Sequence, residues 1–159
     1  MPRHDSKIST KLVENAAFLA EVVRLIGEGH TVTLPLRGFS MRPFLEDRRD
    51  KAVLAAPGTP RKGDVVLAEI APGCYVLHRI VAVMKGHTIL QGDGNLTTES
   101  CPAGGIKAVA TGFYRKGRSK LEPTSGFKWR AYSALWMRLR PARRYLLAIH
   151  RLLSAKRQR

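Results

Sequence analysis

The sequence predicts a mainly β fold, a compact β domain with an N-terminal amphipathic helix and C-terminal basic helices. Three observations carry this. Between Thr31 and Tyr114 short β-rich runs alternate with Gly/Pro/Asp turn signals at roughly ten-residue spacing, as in compact all-β domains. Before Gly27 the apolar residues recur at helical steps, and after Tyr114 the composition turns basic. With 159 residues, 44% hydrophobic and 25% charged, the chain has the length and composition of one soluble globular domain. The expected organisation is a helix over 1–30 packed on the domain, a β domain over 31–114, and a basic helical tail over 115–159.

Taken in order, Leu12, Val13, Ala16, Leu19, Ala20, Val23 and Ile26 line one side of a helix from about Lys7 to Ile26, with Lys11, Glu14, Glu21 and Arg24 between them. Ser9 or Thr10 could cap a late start, and Gly27 and Gly29 suit its end. Thr31–Leu36 is extended. Lys51–Ala55 is a short strand closed by Pro57-Gly58-Thr59-Pro60, and Val65–Ile70 follows the turn Arg61-Lys62-Gly63-Asp64. Cys74–Met84 is the longest strand and is apolar on both faces: Val76, His78, Ile80, Ala82 and Met84 alternate with Tyr75, Leu77, Arg79, Val81 and Val83. Lys85-Gly86-His87 turns into Thr88–Gln91. A polar loop to Pro102 precedes a last strand, Ile106–Tyr114, and Lys116–Gly126 reads as a linker. Phe127–Leu139 and Ala142–Ala155, separated by Pro141, read as helices. Their stripe of Trp129, Tyr132, Leu135, Trp136 and Leu139 suits either a membrane interface or packing, on the β domain or on a second copy.

The net charge of +16 is concentrated: after Tyr114 there are fourteen Lys and Arg residues and one acid, Glu122. Such a segment beside a nearly neutral domain points to an anionic surface, a membrane or a nucleic acid. Cys74 and Cys101 lack metal-ligand spacing and the density of a disulfide scaffold, so reduced thiols in a cytoplasmic setting are expected. Charged residues interrupt the N-terminal segment before a signal-peptide apolar region forms. No apolar run approaches the roughly 18 residues of a spanning helix. The chain is expected to be cytoplasmic, either soluble or peripheral on the cytoplasmic membrane face.

The stretch Gly38-Phe39-Ser40-Met41-Arg42-Pro43 is the first candidate for chemistry. A serine leaving a strand on a turn between glycine and proline is exposed where a nucleophile is useful. Imidazole is a suitable partner: His78 could accept the serine proton if a carboxylate fixed its tautomer, and Asp93 or Glu99 could do so. A histidine in an apolar strand or an acid in a glycine turn is also common without any catalytic role, so the residues gain meaning only together.

Together they resemble a family. Gly38-x-Ser40-Met41-x-Pro43, Lys62-Gly63-Asp64-Val65-Val66, Val76-Leu77-His78-Arg79-Ile80 and Gln91-Gly92-Asp93-Gly94-Asn95 are similar to the successive boxes of type I signal peptidases and their relatives. The similarity runs from roughly Leu34 to Gly112. It implies Ser40 as nucleophile and, as in the histidine-base branch, His78 as general base. It implies Asp93 as the acid that orients His78, with Glu99 as a possible additional acid. Gly38 stands where some members carry a hydroxyl, so backbone N–H groups, that of Ser40 among them, would stabilise the oxyanion. The resemblance further implies an all-β peptidase core, an extended precursor protein or peptide as substrate, small side chains beside the cleaved bond, and no metal or organic cofactor. Without an anchor in this sequence, the implied activity is removal of leader or signal segments by a short, unanchored relative. The rival reading from the residues is a non-catalytic binding module whose basic tail contacts anionic membrane or, with less support, nucleic acid.

Overall fold

The computed structural model describes residues 5–156, with side chains described over residues 15–155. Strand outweighs helix, and the antiparallel sheet is curled. The helix α1 (Asp5–Gly27) leads into β1 (Val32–Pro35), β2 (Lys51–Ala55), β3 (Val65–Ala71), β4 (Cys74–Met84) and β5 (His87–Gln91). Then come β6 (Glu99–Pro102), β7 (Ile106–Tyr114), β8 (Leu121–Pro123), α2 (Phe127–Arg138) and α3 (Arg143–Lys156), the two last helices joined by a 3-10 turn at Arg140–Ala142. α1 contains Ser9 and Thr10, so neither caps it.

The strand order is β1-β2-β7-β3-β4-β5-β6, with β8 on β7. β7 lies at the centre: Val109–Tyr114 pairs with β2 on one edge, while the other edge takes β3 over Ile106–Val109 and β8 over Gly112–Tyr114. β6 and β8 differ from the polar loop and linker expected of those segments. They are short, and pairing with β5 and β7 forms them where their own composition would not.

As expected, β4 is covered on both faces. Tyr75 and Leu77 join the larger core, which gathers Val22 and Ile26 of α1, Leu34, Leu54, Leu67, Phe113 and Trp129. Val76 and Ile80 join the smaller one, with Val66, Leu90 and Cys101. Of the two readings of the C-terminal aromatic stripe, packing on the β domain is the one found. Trp129 lies 4.7 Å from the Phe44 ring and 4.6 Å from Phe113, and Tyr132 stacks on Phe44 at 4.2 Å. Of Trp129, Leu135 and Trp136 only Leu135 is exposed. Residues beyond 115 therefore supply one strand of the sheet and part of its core.

The segment after β1 is tied at its ends. Leu36 N–H donates to the Asp50 carbonyl at 2.9 Å, and Arg48 N–H donates back to the Leu36 carbonyl at 2.9 Å. Asp50 is buried, accepts 2.9 Å hydrogen bonds from the Glu46 and Lys116 N–H groups, and is paired with Arg49 through both oxygens. Burial alone would raise its pKa, but Arg49 and the two N–H donors outweigh burial and hold it below the usual carboxylate range. A depressed folded-state pKa contributes stability that is present above the unfolded value, about 3.9, and is lost as pH falls through the folded one. Asp50→Asn is therefore expected to cost about 1–3 kcal/mol at neutral pH. Urea denaturation followed from pH 7 to pH 2 should show a smaller loss of stability on acidification for the variant than for the parent chain.

Candidate active site

Ser40 sits on the turn that opens this tied segment. Gly38 has φ +84°, a left-handed conformation that costs a side chain strain, and its N–H donates to Asp47 Oδ1 at 2.7 Å. The turn closes through Arg42 N–H to the Phe39 carbonyl at 3.1 Å. Met41 and Leu45 are buried beneath it, while Ser40 remains half-buried. The sequence Ser-Met thus divides one turn between the cleft and the core.

The segment Gly92-Asp93-Gly94 presses on this turn from behind. Gly94 N–H donates to the Ser40 carbonyl at 2.7 Å. A Cβ on Gly92 would lie 2.4 Å from the Ser40 carbonyl oxygen, and one on Gly94 would lie 2.7 Å from that of Phe39. Both contacts are with backbone, which cannot swing aside, so glycine is required at both positions for this approach.

His78 and Arg79 are neighbours on β4 and point to opposite faces, where each takes a different acid. His78 is buried, and its Nδ1 lies 2.5 Å from Glu99 Oε2 at the start of β6. Arg79 forms a two-pronged ion pair with Asp93, Nε to Oδ1 at 2.8 Å and Nη2 to Oδ2 at 2.7 Å, with both side chains fully buried. The expectation that Asp93 orients His78 is thus corrected: Arg79 takes both of its oxygens, and the carboxylate on the histidine is Glu99. In an interior of low polarity a guanidinium has a stronger demand for a carboxylate than an imidazole has, because it carries a full charge. The Arg-Asp pair is further enclosed by α2. Arg79 Nη1 donates to the Gly63 carbonyl at 2.9 Å and to Ser133 Oγ at 2.7 Å, and Tyr132 Oη donates to Asp93 Oδ2 at 3.2 Å. Burial and the Asp93 charge both raise the Tyr132 pKa, keeping that phenol protonated as a donor. Trp136 Nε1 reaches the Asp93 carbonyl at 3.2 Å, and Arg143 the Gly92 carbonyl at 3.4 Å.

Ser40 and His78 line one cleft of about 360 Å³, walled by Phe18 and Leu19 of α1, Leu34–Arg37 along β1 and beyond it, and Tyr75–Leu77 of β4. Among the described residues no hydrogen bond joins Ser40 to His78, and the Ser40 N–H has no acceptor. Catalytic serine–histidine contacts are often long before substrate is bound. With Nδ1 facing Glu99, Nε2 is the imidazole nitrogen left for proton transfer. The cleft is flanked by two unpaired strand edges. Among the described residues β1 pairs only with β2, and Cys74–His78 of β4 pairs only with β3, because β5 joins β4 from Arg79 onward. The arrangement can hold an extended chain by its backbone, with a hydroxyl and an imidazole at its middle.

Sequence reasoning missed Tyr132, Ser133, Trp136 and Arg143 as supports of the site. One signal was available: an arginine inside an apolar strand requires a buried acid, and Asp93 was the nearest one in a glycine segment that could approach closely. Comparison with protein-family models, with curated proteins and with solved structures found no match.

The two acids should separate by stability. Asp93→Asn leaves the buried Arg79 uncompensated and is expected to cost about 3–5 kcal/mol. Glu99→Gln acts on a partly exposed acid and should change the unfolding free energy by less than about 1 kcal/mol. Guanidinium denaturation of both variants measures the difference.

Proposed function

We propose that this chain is a serine endopeptidase of signal-peptidase type that removes leader or signal segments from precursor proteins or peptides. The observation that carries the reading is a single cleft holding Ser40 on a glycine-flanked turn and His78 with its Nδ1 on Glu99. The order of the four boxes in the sequence supports it.

A precursor would lie extended beside β1 and the first half of β4, adding its backbone to their free edges. His78 Nε2 takes the proton from Ser40 Oγ as that oxygen attacks the scissile carbonyl carbon. The Ser40 N–H stabilises the oxyanion that forms. The C–N bond then breaks, the imidazolium protonates the leaving amine, and the C-terminal product departs from an ester on Ser40. Water gives a proton to His78, attacks the ester, and frees the leader with a new carboxylate while the proton returns to Ser40. Glu99 holds the imidazole tautomer and stabilises the imidazolium without taking its proton. No step calls for a metal or organic cofactor. The basic charge after Tyr114 supports a peripheral position on the cytoplasmic membrane face for this peptidase.

A fluorophosphonate serine probe tests the reading. Mass spectrometry should find the adduct on Ser40, with labelling absent in Ser40→Ala and His78→Ala. Glu99→Gln should label about ten-thousandfold more slowly, by precedent with triads in which the orienting acid is neutralised. In a comparable serine site, loss of the serine or of the histidine costs as much as loss of both, about a millionfold in turnover. Folded protein that fails to react with the probe, or that reacts equally after Ser40→Ala, would favour the non-catalytic binding module.

A further inference from the structure

α3 leaves four large apolar side chains on the side turned away from the core. A surface helix ordinarily turns its apolar stripe toward the core. α1 does so with Val22 and Ile26, and α2 with Trp129 and Trp136. On α3 the residues turned inward are Arg143, only 2% exposed, and Leu147, with Leu146 and His150 half-buried beside them. Tyr145, Ile149, Leu152 and Leu153 are 54–70% exposed. At 100° per residue these four fall within an arc of roughly 100° centred opposite Arg143 and Leu147. Arg144 and Arg151 are exposed about 80–100° round the helix from Leu152, the near edge of that arc, and the Arg144 guanidinium reaches back over the Tyr145 ring at 4.5 Å.

We propose that this outer face of α3 is a docking surface for an anionic lipid bilayer. The inference rests on the peripheral placement given above and is independent of the chemistry at Ser40. Charge identifies the occupant. No acidic residue lies on α2, the connecting turn or α3, and the whole chain carries 28 Lys and Arg against 12 Asp and Glu. Two copies meeting through α3 would bring like charges together, which disfavours self-association. A nucleic-acid backbone would engage the arginines but has no use for an exposed Ile-Leu-Leu surface. An anionic bilayer uses both features: the apolar side enters the headgroup and acyl boundary, and the long arginine side chains at the side of the helix reach lipid phosphate. The insertion surface is therefore not the Trp129, Leu135, Trp136 stripe that the sequence offered, because both tryptophans are occupied in the domain. Arg143 bonds to the Gly92 carbonyl, so a bilayer-bound α3 would hold the body that carries the Ser40 turn at a set orientation.

The test is cosedimentation of the full chain with vesicles of phosphatidylcholine alone and of phosphatidylcholine mixed with phosphatidylglycerol, at low and physiological salt. Binding is expected only to the mixed vesicles, and weaker in salt. Ile149→Ser/Leu152→Ser/Leu153→Ser alters exposed positions and should reduce partitioning about a hundredfold. Arg144→Gln/Arg151→Gln should reduce it roughly thirtyfold. Circular dichroism checks that both variants remain folded, and fluorophosphonate labelling of Ser40 should match the parent chain, so failure here is distinguishable from failure of the peptidase reading. Equal binding to both vesicle types, or indifference to the triple serine change, overturns the proposal. So does duplex binding tighter than lipid binding, or a dimer lost in the triple variant without any vesicle binding.

Discussion

The buried ion pair between Arg79 and Asp93 is the interaction on which the rest of the arrangement depends. Two full charges removed from water are tolerated only if their remaining hydrogen-bonding capacity is met. Here Gly63, Ser133 and Tyr132 meet it. The pair thereby gathers four separate stretches of chain: the loop before β3, the strand β4, the glycine segment after β5, and α2. Any movement of the glycine segment would uncover a charge. Because Gly94 N–H holds the Ser40 carbonyl, the same constraint fixes the turn on which the serine is presented.

This explains why one strand serves two purposes. At His78 and Arg79 successive side chains leave β4 in opposite directions. One direction leads to the cleft and to a partly exposed glutamate, the other to a closed interior and a fully buried aspartate. A partly exposed acid suits a role in which charge on the neighbouring imidazole changes, since water can adjust around it. A closed pair suits a role in which nothing changes. Burial and partner are what separate the two acids.

The C-terminal helices are likewise divided. α2 supplies aromatic rings and a hydroxyl to the interior, so the β sheet and the helix share one core. α3 turns an arginine and Leu147 toward that body but leaves Tyr145, Ile149, Leu152 and Leu153 exposed on its other side. The basic composition of the whole segment would suggest a uniform tail, yet its first half is structural, and only α3 is left with an apolar face toward the surroundings.

Much of this was legible in the sequence. The long alternating run fixed β4 from Cys74 to Met84, the glycine and proline signals bounded β2 and β7, and three- and four-residue spacing located α1 and α2, because these features act over a few residues of backbone. Ser40 and His78, which the sequence offered as a pair, line one cleft. The partner of His78 was not legible. Asp93 and Glu99 are both acids in polar segments after the same strand, and their assignment depends on which face of a curled sheet each reaches and how deeply it is buried. β6 and β8 escaped detection for a related reason, since strands of four and three residues exist through the neighbour that pairs with them. The sequence by itself determined the periodicities, the turns and the total charge, all of which are local or additive. Only the tertiary structure decided which acid meets which base and which helix face meets the core, because desolvation is a property of the packed whole.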